Sequence, residues 1–324
     1  MPFERTRVVA RWIQAGFSSC LTILCVFSIE VGYAQSEFVF QHYDVRNGLP
    51  SDEVTGLAQD SLGFIWIQSP GGLSRFDGYN FKVYKKDSDN PERSIDNHSW
   101  SGLMIDPSGN LWRTPGNQHP HYLLSKYDRK ADGFIKYDLE FKNEGYIRRV
   151  RFERNGATLW FPARTGLWSF SPVTNEFRKF ANFKGDSLAS PDRNDIMDVI
   201  DRDSVLLVAS ARGLWMFDKA QKTFLRPPTN PKDTAFLHNA FVSNFFERPG
   251  NEGSEELWIL YNDGLAQIDK TFSVVHRFDL PPEMSGRYAI SVNGFASDST
   301  GFFWLATGVM DYADTILSIL PLSV

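Results

Sequence analysis

The sequence predicts an all-β protein built from one four-stranded unit that is repeated along the chain. Aromatic residues make up 15% of its 324 residues, and aromatic side chains favour strands. The chain also contains 24 Gly and 17 Pro, which form turns between short strands. The third observation is periodicity, because an apolar segment containing Trp returns roughly every 47 residues, a spacing typical of repeat architectures.

Residues 1–34 have the pattern of a secretory signal peptide. Arginines lie near the start, an apolar run covers residues 15–29, and Gly32 and Ala34 are the small residues that precede a cleavage site. We expect cleavage after Ala34 and export to the periplasm. An N-terminal membrane anchor is the alternative, but the apolar run is shorter than the ~20 residues that a spanning helix needs.

The first repeated unit covers residues 54–84 and reads as four short strands separated by three turns. Trp66 lies in its second strand, and a Gly-Leu pair at Gly72 opens its third strand. Phe76 closes the third strand, and the turn before the Trp strand begins at Asp60. One such sheet cannot cover both of its apolar faces, so neighbouring units are expected to pack against it.

The same landmarks recur in later units. The Trp position is found at Trp66, Trp112, Trp160, Trp258 and Trp304, with Leu206-Leu207 in the place between the third and fourth of these. The Gly-Leu pair returns at Gly72, Gly166, Gly213 and Gly264, and the turn Asp at Asp60, Asp106 and Asp298. Units of this length match the blades of a β-propeller, so the aromatic residues are predicted to pack between blades. The Gly residues are predicted to adopt positive φ, and the Asp residues to bond within their turns.

Three segments of the first unit carry a more specific signal: Asn47–Ser51, Asp60–Trp66 and Gly72–Gly78. Together they resemble the repeat of the two-component regulator propeller family. The resemblance extends from residue 37 to about residue 308, although the second unit departs from it after Arg113 and the fourth lacks the Trp. In that family the propeller is the exported sensor half of hybrid two-component regulators. A membrane helix, a histidine kinase, a receiver and often an output domain follow it.

The resemblance implies a periplasmic sensor region that binds an oligosaccharide or a similar small ligand. It also implies that full-length relatives are anchored in the inner membrane and signal by phosphorelay. No kinase, receiver or output sequence is recognised, so we expect no enzymatic activity on this chain and no cofactor. A second copy of the sensor region is an expected partner, whereas the net charge of −5 argues against nucleic acid. The alternatives are a secreted propeller lyase or hydrolase acting on polysaccharide, and an extracellular protein-interaction propeller.

Three segments follow from this interpretation: the signal peptide 1–34, propeller repeats over 35–308, and a tail 309–324 that keeps none of the repeat. Seven blades of ~47 residues would need about 329 residues, more than residues 35–324 provide. We therefore expect five complete blades and a partial sixth of an expected seven, encoded by a truncated or frameshifted gene. Residues 38–43 are expected to form a strand that completes the last blade.

Few residues suggest metal binding or catalysis. His98, His119 and His121 form the only metal-like group, but zinc sites need three or four well-spaced ligands. A solvated loop is the preferred interpretation. Acidic pairs such as Asp201 and Asp203 fall in predicted turns, where a solvated surface is the default. We therefore predict no catalytic residue and no metal site.

A ligand site is better supported. In a propeller, the loops from the second to the third strand and from one blade to the next gather on one face. Arg and Asn on that face provide fork-shaped donors and Trp a stacking surface, which suits a polyol or an acidic sugar. The candidate ligand-binding residues are Arg46, Asn47, Trp100, Arg113, His121, Arg164, Arg212 and Asn262. The alternative for each is an ordinary exposed turn residue.

Overall fold

The computed structural model describes residues 40–91, 93–95, 102–114, 122–139, 147, 149–181, 195–249, 255–279, 291–297, 303–310 and 315–322. The predicted signal peptide lies outside these ranges. The chain divides into a unit of Met1–Tyr43 and a unit of Asp44–Val324. Residues 40–43, the described part of the first unit, form no strand, so the strand predicted over 38–43 is not seen there. Every described strand belongs to the second unit.

The described strands form six antiparallel sheets, and in each sheet the strands follow one another in chain order. The first two sheets contain β1 (Gly56–Gln59), β2 (Ile65–Ser69), β3 (Gly72–Phe76) and β4 (Phe81–Tyr84), then β5 (Leu103–Ile105), β6 (Leu111–Arg113), β7 (Tyr122–Asp128) and β8 (Gly133–Leu139). The third and fourth contain β9 (Arg151–Phe152), β10 (Leu159–Ala163), β11 (Gly166–Ser171) and β12 (Glu176–Phe180), then β13 (Ile196–Arg202), β14 (Val205–Ser210), β15 (Gly213–Asp218) and β16 (Thr223–Leu225).

The fifth sheet also has four strands, β17 (Val242–Pro249), β18 (Glu255–Tyr261), β19 (Gly264–Ile268) and β20 (Val274–Asp279). The sixth has three described strands, β21 (Ser291–Ser297), β22 (Phe303–Met310) and β23 (Thr315–Leu322). A 3-10 helix covers Val45–Asn47, and helix α1 covers Thr234–Asn239. The all-β prediction of five complete units and a partial sixth is confirmed. Strand β23 comes from the predicted tail and pairs with β22 along its whole length.

The repeated Trp and Leu residues fill the spaces between sheets, as the sequence predicts. Trp66, Trp112, Trp160 and Trp258 lie on second strands and are buried. Four separate hydrophobic cores result, each formed by residues of two consecutive sheets from the first to the fifth. Each sheet therefore depends on its neighbours for the burial of its apolar faces, which is the expected energetics of a repeat protein.

The turn before the Trp strand is held by its Asp. Asp60 Oδ1 accepts two backbone amides of its own turn at 2.9 and 3.1 Å, and its Oδ2 accepts the indole N–H of Trp66 at 3.0 Å. Asp106 repeats this arrangement with the indole of Trp112 at 2.9 Å. The third sheet has no Asp at this place, and the buried indole nitrogen of Trp160 has no hydrogen-bond partner among the described residues. The predicted local role of these Asp residues is confirmed for both described turns.

At Gly72, Gly166, Gly213 and Gly264, which open third strands, neighbouring backbone lies so close that there is no room for a Cβ atom. Gly72, Gly166 and Gly213 have φ of +140°, +141° and +86°, as predicted, whereas Gly264 does not adopt positive φ. A Cβ on Gly166 would lie 2.6 Å from the carbonyl oxygen of Phe180 in the fourth strand, and Gly264 meets its fourth strand even more closely. A larger residue at Gly166 or Gly264 would push the third and fourth strands apart, and one at Gly213 would meet the backbone of Leu237 and His238 in helix α1.

The first strands of neighbouring sheets converge. Strand β1 packs on β5, β9 on β13, and β13 on β17, whereas fourth strands in the described part of the chain make no comparable contact with one another. First strands therefore lie innermost, as in a propeller. Because the strands alternate in direction, the start of each first strand lies at the same end of its sheet as the second-to-third-strand turn and the connection to the next sheet. We call this end the loop face.

Near the loop face, first strands carry an irregularity that the sequence does not reveal. Strand β13 has a register shift between Ile196 and Asp198. Strand β17 has one between Val242 and Asn244, and β21 has one between Val292 and Gly294. A bulge re-aims the side chains beside it, so residues at this position are able to reach neighbouring sheets.

Candidate functional site

Arg46 and Asn47, two of the predicted ligand-binding residues, belong to the 3-10 helix. Asp44 caps this helix and accepts the Nε of Arg46 at 2.8 Å, while the side-chain oxygen of Asn47 accepts the backbone N–H of Asp44 at 3.0 Å. The hydrogen bonds and charge of Asp44 raise the pKa of Arg46. Both side chains thus have a local structural use, although Arg46 remains 82% exposed.

Arg113 lies inside the protein instead of in the loop that the sequence predicts. It is the last residue of strand β6, it is 4% exposed, and its Nε donates to Gln68 Oε1 at 2.9 Å. Gln68 is itself buried at the end of strand β2. The pair joins the first and second sheets near the loop face, and burial of its polar atoms is offset by this hydrogen bond.

Arg164, Arg212 and Asn262 lie where the sequence predicts, in the second-to-third-strand turns of the third, fourth and fifth sheets. Arg164 and Asn262 are exposed and Arg212 is half-buried. The Arg212 carbonyl accepts Nη1 of Arg226 at 3.0 Å, which fixes its turn. The three residues therefore share the loop face of consecutive sheets. Trp100 and His121, with His98 and His119, lie outside the described residues.

A group of charged residues on the first strands was not found from the sequence. Its centre is Asp198 of β13, whose side chain has 0% exposure. Asp198 accepts Nε and Nη2 of Arg151, from β9, at 2.9 and 2.7 Å. It also accepts the backbone amides of Val199 at 2.9 Å and of Phe245, in β17, at 3.1 Å. One carboxylate thus ties together the third, fourth and fifth sheets.

A second arginine stands beside this pair. Nη1 of Arg149 lies 4.0 Å from Asp198 Oδ2, beyond hydrogen-bond distance, and the side chain is 39% exposed. Burial lowers the pKa of Arg149. Burial alone would lower the pKa of Arg151 as well, but the hydrogen bonds to Asp198 and its negative charge outweigh burial and raise the pKa of Arg151.

The charged group continues along the first strands away from the loop face. Glu247 of β17 accepts from Arg154 at 3.3 Å and from Arg202. Beyond it, Asp201 and Glu153 share Lys219, at 2.8 and 2.7 Å. Asp201 lies in strand β13 and is buried, so its predicted position in a turn is wrong. At the end near the loop face, two arginines, Arg149 and Arg151, share one carboxylate, Asp198. At the far end two carboxylates share one cation, Lys219. The charged group is therefore positive near the loop face and negative at the opposite end.

The described residues give no sign of metal binding or of a membrane-spanning helix. In those ranges, no three His, Cys, Asp or Glu side chains lie close enough together to hold a metal ion. None of the described helices is both long and apolar enough to cross a bilayer.

The sheet order and the convergence of the first strands define the class of protein, a β-propeller chain with antiparallel four-stranded blades. Within that class, the model of the two component regulator propeller family matches residues 48–71, which confirms the resemblance seen in the sequence. The histidine kinase P4 of Formosa agariphila is 36% identical over 67 residues, which are 21% of this chain and 5% of that protein.

Solved structures show the same fold. The extracellular domain of the hybrid two component system BT3049 from B. thetaiotaomicron is 19% identical, with a TM-score of 0.56, over 87% of this chain and 35% of that one. The GH74 enzyme of Niastella koreensis is 14% identical, with a TM-score of 0.51, over 78% of this chain and 40% of that one. The chain therefore spans well under half the length of these proteins.

Proposed function

We propose that this chain is the ligand-binding propeller of an exported sensor of the hybrid two-component type. The observation that carries the proposal is the family repeat at residues 48–71, on a chain whose described sheets are propeller blades. The match to a histidine kinase and the fold of an extracellular sensor domain support the same role. In this proposal the chain has no activity of its own and acts in the periplasm, where its signal peptide would direct it.

For the ligand we propose an oligosaccharide held on the loop face. Arg164, Arg212 and Asn262 stand on that face in three consecutive sheets. Guanidinium and amide groups bind vicinal hydroxyls and carboxylates through paired hydrogen bonds. Because the three residues come from separate turns on a rigid scaffold, they would contact different sugar units of one ligand.

A propeller enzyme is the second candidate, since the GH74 enzyme shares the fold. A glycosidase usually needs two carboxyl groups that flank the scissile bond and are free to act as acid and base. On the described first strands, Asp198, Asp201 and Glu247 are all engaged by Arg or Lys. This favours binding over hydrolysis.

Calorimetric titration of the purified protein against an oligosaccharide panel tests the proposal. We expect binding without product formation, and a loss of about tenfold or more in affinity for Arg164→Ala and Arg212→Ala, since each removes a charge-assisted hydrogen bond. Arg178→Ala is the matched control, because Arg178 is on the outer strand β12 and pairs with Glu176. Sugar products in the titrated sample would indicate the enzyme instead. Unchanged affinity in both Arg164→Ala and Arg212→Ala would reject the loop-face site. We also propose that two copies of the sensor region associate, and light scattering of the purified protein would detect such a dimer.

A further inference from the structure

At the loop-face end of the charged group, Arg149 has no hydrogen-bonded carboxylate among the described residues. Asp198 already accepts four hydrogen bonds, two from Arg151 and two from backbone amides. A carboxylate has about four acceptor positions, so Asp198 has none left for Arg149. Among the described residues no other carboxylate lies within 4.0 Å of Arg149.

Arg151 is also only partly used. Its Nε and Nη2 face Asp198, and Nη2 further reaches the carbonyl of Phe245 at 3.4 Å, but its Nη1 has no acceptor among the described residues. The Arg151 side chain is 32% exposed, so part of it is accessible to solvent. Two guanidinium groups therefore stand together with a single buried countercharge between them.

The position of this pair connects it with the loop face. Ile147 pairs with Ala163, the residue that precedes Arg164 in its turn. Arg151, in β9, pairs with Trp160 of β10. Arg149 therefore lies between these two pairings, close in the register to the turn that contains Arg164.

We propose that Arg149 and Arg151 form a subsite for a negatively charged oxyanion carried by a sugar, either a uronic acid carboxylate or a sulfate ester. This inference rests on the proposed function and narrows its ligand class to acidic saccharides. Asp198 is a positioning residue, because it holds the Arg151 fork and leaves Arg149 free. An oxyanion would complete the charge balance with paired hydrogen bonds of the kind that arginine makes to carboxylates and to tetrahedral oxyanions.

Three matched probes test the subsite: glucose, glucuronate and glucose 6-sulfate, each followed by thermal shift and NMR titration of the purified protein. We expect at least one acidic probe to bind and glucose to bind much more weakly. Arg149→Gln should weaken the acidic probe by about tenfold, which corresponds to about 1.4 kcal/mol. Arg149→Lys, which keeps the charge but loses the fork, should fall between. Arg178→Gln removes a charge on an outer strand and should leave binding unchanged. The carboxylate and sulfate arms identify the group that is bound.

The outcomes separate this subsite from the proposed function. Oligosaccharide binding that depends on Arg164 and Arg212, together with acidic probes whose affinity is unchanged in Arg149→Gln, would overturn the subsite and leave the sensor proposal standing. Binding of inorganic sulfate that depends on Arg149, with no sugar bound, would support the subsite and overturn the oligosaccharide proposal. Equal binding of glucose and glucuronate would also overturn the subsite, and so would the absence of binding by all three sugars and by inorganic sulfate.

Discussion

The buried Asp198 provides the most demanding test of the structure. We predict that Asp198→Asn, which removes the charge at almost constant volume, destabilises the protein strongly. Asp198 has 0% exposure and accepts two bonds from Arg151, one from Val199 and one from Phe245. The amide that replaces it has one oxygen, so at least one of the donors that face Oδ1 and Oδ2 would meet an NH₂ group.

The magnitude follows from burial. Loss of one partner of a buried ion pair costs about 3–5 kcal/mol, because the other charge remains buried. Arg151 is 32% exposed and would be partly solvated, so the lower end applies and we expect about 3 kcal/mol. In domains of about 150–250 residues each kcal/mol lowers Tm by about 2–4 °C. A loss of about 6–12 °C is therefore expected.

Thermal and urea unfolding measure this loss directly. Asp89→Asn is the control, since Asp89 is exposed, and it should change stability by less than about 0.5 kcal/mol. In a double-mutant cycle, Arg151→Gln together with Asp198→Asn should cost less than the sum of the two single changes, because the second change removes the unpaired charge that the first leaves. A loss for Asp198→Asn no larger than that of Asp89→Asn would refute the burial and bonding described for this site. Strict additivity in the cycle would refute the direct pairing with Arg151.

Three further predictions concern the scaffold. Trp66→Phe should lower the unfolding free energy by about 1–3 kcal/mol more than Trp160→Phe, because only the first leaves the buried Asp60 carboxylate without its indole donor. Urea unfolding midpoints compare the two variants, and equal losses of stability would contradict the hydrogen bond. Burial would raise the pKa of Asp132, but hydrogen bonds from Lys82, Tyr127 and Tyr84 lower it to about 2. The ionised Asp132 therefore stabilises the folded protein above about pH 4, and this stabilisation is lost as pH falls through about 2. The difference in unfolding free energy between wild type and Asp132→Asn should shrink over that range, and a constant difference would refute the prediction. Gly166→Ala should destabilise more than Gly78→Ala, since both have positive φ but only Gly166 faces backbone within 3 Å; chemical unfolding decides, and the reverse order would contradict the close approach.

Much of the scaffold could be predicted because it is repeated. A Trp or a Gly-Leu pair that returns at a regular spacing identifies a strand by its neighbours, and the structure places each described landmark on the predicted strand. Arg164, Arg212 and Asn262 could be placed for the same reason, since they lie next to such landmarks. Arg113 could not, because nothing in the local sequence shows that β6 extends by one residue and buries it against Gln68.

The charged group on the first strands was missed because its positions do not recur at a constant spacing along the chain. The position is the first-strand residue that pairs with the second-strand residue two places after the Trp; in the first sheet Gly56 pairs in this way with Gln68. The number of residues between this position and the Trp varies with the length of the turn that joins the first and second strands. Counted by register, the position is occupied in the first, second, fourth, fifth and sixth sheets by Gly56, Gly102, Asp198, Asn244 and Gly294. Arg149 stands at the corresponding place in the third sheet, between the pairings of Arg151 and Ile147.

This pattern indicates how a repeated scaffold acquires an individual site. A Gly at this position contributes no side chain to the space between first strands, whereas Arg149 and Asp198 in two consecutive sheets contribute charge there, and Asp198 also contributes hydrogen bonds. Because this position has the same place in the sheet register whether it holds Gly or a charged residue, the charged side chain costs the fold mainly the burial of its charge. Pairing of Arg151 with Asp198 offsets that cost. Arg149 lacks such hydrogen bonds, because the carboxylate nearest to it among the described residues, Asp198 at 4.0 Å, is already taken by other donors. The oxyanion of an acidic sugar would supply the missing acceptors, which is why we place the proposed subsite at Arg149.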